Sequence, residues 1–132
     1  MVELTNKQKD SFFQTGFFIL PCVFNSDEIS DMKNSFQALQ KTAFSLANLH
    51  LERLKQQKET YIMHQGSQFV LGQIQRGTHS GQPAIRRVSW CGAAEPTLLR
   101  YGKDPRLLSV ASQLLGSKKM SQLINQAHFK LP

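Results

Sequence analysis

Cysteine, acidic residues and long apolar runs are all scarce in this chain, and each scarcity removes a class of protein. Only two cysteines occur in 132 residues, Cys22 and Cys91. Two so far apart make no disulfide framework, and without a CxxC pair there is no zinc or dithiol motif. Both lie in apolar or strand-like surroundings, where a buried, reduced thiol is expected. No apolar run reaches the roughly 18 residues of a membrane-spanning helix, and the opening MVELTNKQKD lacks a signal-peptide core. The expectation is a soluble, cytoplasmic chain without a membrane partner. Nine acidic residues stand against sixteen Lys and Arg, a net charge of +7. Such an excess attracts anions. Yet no basic run exceeds two (Arg86-Arg87, Lys118-Lys119), and no aromatic interleaving offers a stacking platform for single strands. No nucleic-acid partner is expected; a salt-dependent shift with duplex DNA would test the contrary reading.

What the sequence does contain is punctuation. Thr5 and Gln8 form a capping-box pair opening a helix that carries Phe12 and Phe13 and stops at Gly16. Phe17 to Phe24 (FFILPCVF) reads as a short buried strand, with Pro21 at an edge or bulge. Asn25 and Glu28 cap a second helix. Ile29, Met32, Phe36, Leu39, Ala43, Leu46 and His50 follow at alternating spacings of three and four, which predicts one amphipathic helix reaching Leu54. Packing on a sheet suits this stripe better than a coiled coil, because an Ala and a His interrupt the seam.

Thr60 to Met63 and Phe69 to Leu71 read as short strands, and Gly72 to Pro83 as a loop whose glycines make no phosphate-binding fingerprint. Ala84 to Cys91 reads as a strand with Ile85, Arg87, Ser89 and Cys91 on one face and Arg86, Val88 and Trp90 on the other. Trp90 is expected in the core. Pro96 to Tyr101 is a short helical segment. Asp104 as N-cap, Pro105 at the first helical position and Gly116 at the end delimit the next helix. After Ser117 to Lys119 the period becomes two: Leu123, Ala127, Phe129 and Leu131 share one face, and Gln122, Ile124, Gln126, His128 and Lys130 the other. A sheet with one wet face and a strand lining a polar barrel interior both fit this alternation.

A helix ending Leu114-Leu115-Gly116, a short turn and a strand running into His128-Phe129-Lys130-Leu131-Pro132 resembles the core of the phytanoyl-CoA dioxygenase family. The stretch LTNKQKDSFFQTGFFILPCVFNSDEI, which begins at Leu4, resembles that family's N-terminal signature. The resemblance is strongest at 4–30 and 85–132. It implies an α+β chain: N-terminal helices plus the first strands of a double-stranded β-helix (jelly-roll), an iron(II)- and 2-oxoglutarate-dependent oxygenase fold. In the family this strand is soon followed by the H-x-D half of the iron site, whereas this sequence stops at Pro132. Residues 1–132 are therefore expected to be a single domain or the N-terminal part of such a domain, apparently truncated.

The implied function is the N-terminal part of a hydroxylase that acts on a small organic molecule and decarboxylates 2-oxoglutarate, inactive alone for want of the iron ligands. The alternative is a non-catalytic binding module derived from the same fold. Iron(II) and 2-oxoglutarate belong to the full-length family, and this chain alone is expected to bind neither. Its open strand edge is expected to favour self-association.

His50-Leu51-Glu52 contains the sole H-x-acid pair, but positions i and i+2 of a helix point apart, so it chelates poorly. His64 and His79 fall in loops and read as surface residues. No metal ligand and no catalytic residue is assigned. Arg87 is a cation in an apolar strand, where a guanidinium suits bidentate binding of a carboxylate, with a surface arginine or ion pair as the plain alternative. The resemblance gives Arg87 contact with 2-oxoglutarate, and gives Gln126 and His128 positions looking into the co-substrate pocket. Some relatives carry an amide where His128 stands.

Overall fold

The computed structural model describes residues 2–57, 59–74 and 79–130. The chain opens with two helices whose caps are written locally. In α1 (Asn6–Thr15) the Thr5 hydroxyl accepts from the Gln8 N–H, the Gln8 side chain accepts from the Thr5 N–H, and Gly16 ends the helix at φ 84°. The Asn25–Glu28 pair starts α2 (Ser26–Leu49) in the same reciprocal way. Each box satisfies donors that the first helical turn leaves without partners.

The apolar run between these helices is not the expected strand. Phe17 and Ile19 are 66% and 79% exposed. Three local features oppose a ladder here. Pro21 has no N–H to donate, Cys22 turns the backbone at φ 58°, and the Phe17 carbonyl already accepts from the Ser11 and Thr15 hydroxyls. Cys22 is consequently exposed rather than buried, while Cys91 is buried as expected.

The long helix is also two. His50, at φ −115° and ψ 25°, leaves helical geometry, and α3 (Leu51–Gln56) restarts after it. The buried face of α2 is Ser35, Leu39, Ala43, Leu46 and Ala47, and it packs on the sheet as anticipated.

The sheet is a four-stranded antiparallel array in the order β1 (Glu59–His64), β2 (Ser67–Gln73), β3 (Pro83–Ser89), β4 (Gln126–His128). β1 and β2 join through Gln65-Gly66, both left-handed (φ 49° and 75°), as a type I′ hairpin requires. Three helices separate β3 from β4: α4 (Cys91–Ala94), α5 (Pro96–Gly102) and α6 (Pro105–Leu115). Asp104 caps α6, Pro105 sits in its first turn and Gly116 closes it at φ 64°, as the sequence predicts.

One sheet face makes the core. Ile62, Phe69, Val88 and Ala127 form a continuous cross-strand row, Leu71 and Ile85 lie in the next, and Leu39, Ala43, Leu46 and Leu54 of α2 and α3 cover them. Burying each larger side chain contributes about 1.5–3 kcal/mol.

A bulge at Arg86 corrects the expected facing of β3. Val70 pairs with Arg87 and Leu71 with Ile85, so Arg86 is the extra residue. Ile85 and Val88 therefore both enter the core, and Arg87 and Ser89 turn the other way. The bulged residue is held at both ends: its Nη2 donates to the Gln73 carbonyl at 3.0 Å, and its carbonyl accepts from the Phe129 N–H.

The last strand is shorter than its alternation predicts. Residues 121–125 carry no ladder, and Leu131 lies outside the described residues. Asn125 explains the loss, because its side chain is drawn onto α4. Its Oδ1 accepts from Cys91 Sγ at 2.8 Å and from the Gly92 N–H at 2.9 Å. Among the described residues the architecture is α+β, six helices with an open antiparallel sheet, and no helix is long and apolar enough to cross a membrane.

Candidate functional site

The face of the sheet turned away from the core carries two cross-strand rows. Tyr61, Val70, Arg87 and His128 pair across all four strands in the first. Met63, Gln68, Ser89 and Gln126 pair in the second. The half on β3 and β4 is polar and cationic, and the half on β1 is Tyr61 and Met63, both largely exposed. Directly opposed residues on neighbouring strands have Cβ atoms about 4.5–5.5 Å apart, so Arg87 and His128 are immediate neighbours. All three residues singled out in the sequence, Arg87, Gln126 and His128, stand together on this face.

Their hydrogen bonds run in one direction. His128 Nε2 lies 3.0 Å from Gln126 Oε1, and Gln126 Nε2 donates to Ser89 Oγ at 3.1 Å. With the Gln126 amide so placed, its Oε1 accepts and His128 Nε2 donates. Ser89 is only 3% exposed and anchors the chain of bonds. The Nε of Arg87 is buried and has no hydrogen-bond partner, and no described acidic side chain pairs with this arginine. A desolvated donor without an acceptor costs about 1–3 kcal/mol or more. The arrangement can take a planar anion: guanidinium donors for a carboxylate, with an amide and an imidazole beside them.

The sequence alone does not single out Ser89 or Tyr61 as site residues. Ser89 shares a strand face with Arg87, a signal the alternation did contain. Tyr61 joins only through the register of the β1–β2 hairpin, which no local pattern encodes. Trp90 also departs from expectation, being 48% exposed rather than in the core.

The histidines do not converge. His50 lies between α2 and α3, His64 ends β1 beside the Phe69 ring, His79 is exposed before β3, and His128 is on β4. No group of three His, Cys, Asp or Glu side chains that could hold a metal ion occurs among the described residues.

The strongest electrostatics lie elsewhere and are structural. Arg106 donates to Glu28 at 2.5 and 3.0 Å, to Asp104 at 2.8 Å and to the Val23 carbonyl at 2.8 Å, with its guanidinium 4.6 Å over the Phe24 ring. Hydrogen bonds from Arg106 hold the Asp104 carboxyl down to about 2, and the same arginine lowers Glu28. These partners satisfy one another and tie the N-terminus of α2 to that of α6.

No family model, no curated protein and no solved structure matches this chain.

Proposed function

We propose that this chain supplies the 2-oxoglutarate side of an oxygenase of the phytanoyl-CoA dioxygenase type. In this reading it is the helix-backed N-terminal part of a double-stranded β-helix, and the open face takes the co-substrate. One observation supports this above the others. Arg87, Gln126 and His128 share a face, and the buried Arg87 Nε lacks an acceptor. The terminal guanidinium nitrogens, unlike the enclosed Nε, could give a carboxylate charge-assisted bonds. Arg87 binds the anion, Gln126 and His128 orient it, and Ser89 fixes the Gln126 amide.

Iron(II) does not fit the residues present, since no three ligand side chains come together among those described. A non-catalytic module built on the same scaffold is the second reading, favoured by a binding face that stands apart from any ligand cluster. Both readings predict dicarboxylate binding by this face, where the family resemblance leads to none being expected of the chain alone, and they separate on whether bound 2-oxoglutarate is converted to succinate.

The experiment is calorimetric titration of 2-oxoglutarate into the wild-type protein and into Arg87→Ala. A hydrogen bond to a charged group contributes about 1.5–3 kcal/mol, so Arg87→Ala should weaken binding about tenfold to a hundredfold. Thermal stability should change by less than about 1 kcal/mol. Equal affinity in the two proteins, or a large loss of stability alone, would assign Arg87 to the scaffold.

A further inference from the structure

Beyond the sheet face, the junction of β3 and α4 holds a second arrangement that the reading above does not use. Trp90 occupies it with a left-handed backbone, φ 53° and ψ 40°, a conformation that bulky side chains rarely adopt. The strain is held in place by hydrogen bonds to the Trp90 carbonyl, from Ser67 Oγ at 2.8 Å and from the Ala93 N–H at 2.9 Å. Its effect is to turn the indole out of the core and into the wall of a groove of about 260 Å³. Leu99, Leu123 and Ile124 supply the rest of the apolar wall, Lys103 stands in the lining, and no acidic side chain does. Lys103 makes no ion pair among the described residues.

The groove is prebuilt. Besides the two bonds to its side-chain oxygen, Asn125 accepts the Cys91 N–H on its carbonyl at 3.0 Å. A Cβ on Gly92 would lie 2.5 Å from Leu99 Cβ, and one on Gly102 would lie 2.8 Å from Asn125 Nδ2. Gly92 thus lets α4 and α5 approach at backbone distance, and Gly102 leaves room for the Gln122 and Asn125 side-chain amides. The Asn125–Gly92 side of the wall, fixed in this way, loses little freedom when a molecule enters, while Leu123 stands 93% exposed at the rim.

We propose that this groove binds a small aromatic carboxylate, with its ring against the Trp90 indole and its anionic end at Lys103. An indole favours an aromatic ring in offset or edge-on contact. A lone unpaired cation at an apolar wall selects for one negative charge, and the volume lies below that of drug-sized pockets. The proposal does not rest on Arg87.

Trp90 is the chain's sole tryptophan, so its emission reports the groove directly. Phenylpropionate should change that emission saturably. Its neutral counterpart, phenylpropanol, should bind about tenfold or more weakly, as loss of a charge-assisted contact predicts. Lys103→Gln, an exposed substitution, should weaken phenylpropionate to the same degree, Lys103→Arg should restore it, and Arg87→Ala should leave it unchanged. Three outcomes would overturn the proposal: no saturable response, equal affinity for the acid and the alcohol, or a response removed by Arg87→Ala but not by Lys103→Gln. The last would assign the anion to the sheet face. Absence of 2-oxoglutarate binding by the wild-type protein, with phenylpropionate binding intact, would instead count against the function proposed above and leave the groove standing.

Discussion

At the scale of single residues, partners far along the chain decide what each group does. Cys91 is 2% exposed, burial pushes its thiol up, and its Sγ–H donates to Asn125. Cys22 sits in the open on a turn. A thiol reagent such as dithionitrobenzoate should therefore titrate one cysteine in the native protein and two after denaturation; two fast-reacting thiols in the native state would contradict this burial. Arg106 gives the second residue-scale prediction. Asp104 has an ordinary carboxyl value of 3.8, lowered in the fold to about 2. In acid the unfolded chain takes up a proton that the folded one still refuses. The stability from this contact is full above about pH 4 and is lost as pH falls toward 2. Glu28 is lowered too and adds to the loss in the same direction. Arg106→Gln should lower stability at neutral pH and flatten its decline between about pH 4.5 and 2, measured as denaturant midpoints across that range. An unchanged acid slope would show that the arginine does not set these carboxyls. Asp104 was legible in the sequence as a cap because Pro105 follows it. Its bond to Arg106 was not, and Glu28 lies 78 positions away from that arginine.

Among the elements, legibility follows range. The capping boxes, the left-handed glycines and the Asp104-Pro105 start are settled within four residues, and each stands where the sequence puts it. The features that pattern misplaced depend on neighbours. Phe17 to Phe24 has strand composition but no ladder, and Arg86 bulges where strict alternation would pair it. Residues 121–125 leave the sheet for Asn125's bonds to α4. For the site, alternation already groups Arg87 with Ser89; the bulge takes Ile85 off that face and into the core, and leaves Arg87 paired with His128. One element carries an internal conflict that can be tested. Thr60 is fully buried in β1 opposite Leu71, and its Oγ1 has no hydrogen-bond partner. Replacing a buried, unsatisfied hydroxyl by a methyl group removes a desolvation cost of about 1–3 kcal/mol. Thr60→Val should accordingly raise stability by about 1 kcal/mol in urea denaturation. By contrast, Asn25→Ala should lower it by about 1 kcal/mol through loss of the cap. A destabilised Thr60→Val would mean that the hydroxyl is satisfied in solution.

For the molecule as a whole, the sheet is finished on one side only. Helices cover the core face, while on the other face Tyr61, Met63, Gln126 and His128 are exposed at the ends of the two rows and Val70 and Ser89 between them are buried. Both lateral edges are also open among the described residues: β1 along six positions and β4 along three. An uncovered edge offers unpaired N–H and C=O groups to another strand. The β1 edge is the longer template, and Tyr61 and Met63 on it are 49% and 62% exposed. Opposing this, a net charge of +7 makes copies repel one another. Since salt screens repulsion over about 8–10 Å at physiological strength and leaves backbone pairing intact, association should grow as salt is added. Sedimentation velocity over a range of concentrations should show species larger than the monomer that increase with sodium chloride, together with binding of a hydrophobic-surface dye. Met63→Lys places a like charge on the exposed edge without touching the core, so it should reduce both signals while leaving the unfolding midpoint nearly unchanged. A monomer at every concentration and salt level, silent to the dye, would mean that the open face and edges are self-sufficient. That result would remove the support the unfinished sheet gives to the reading of this chain as one part of a larger β-helix.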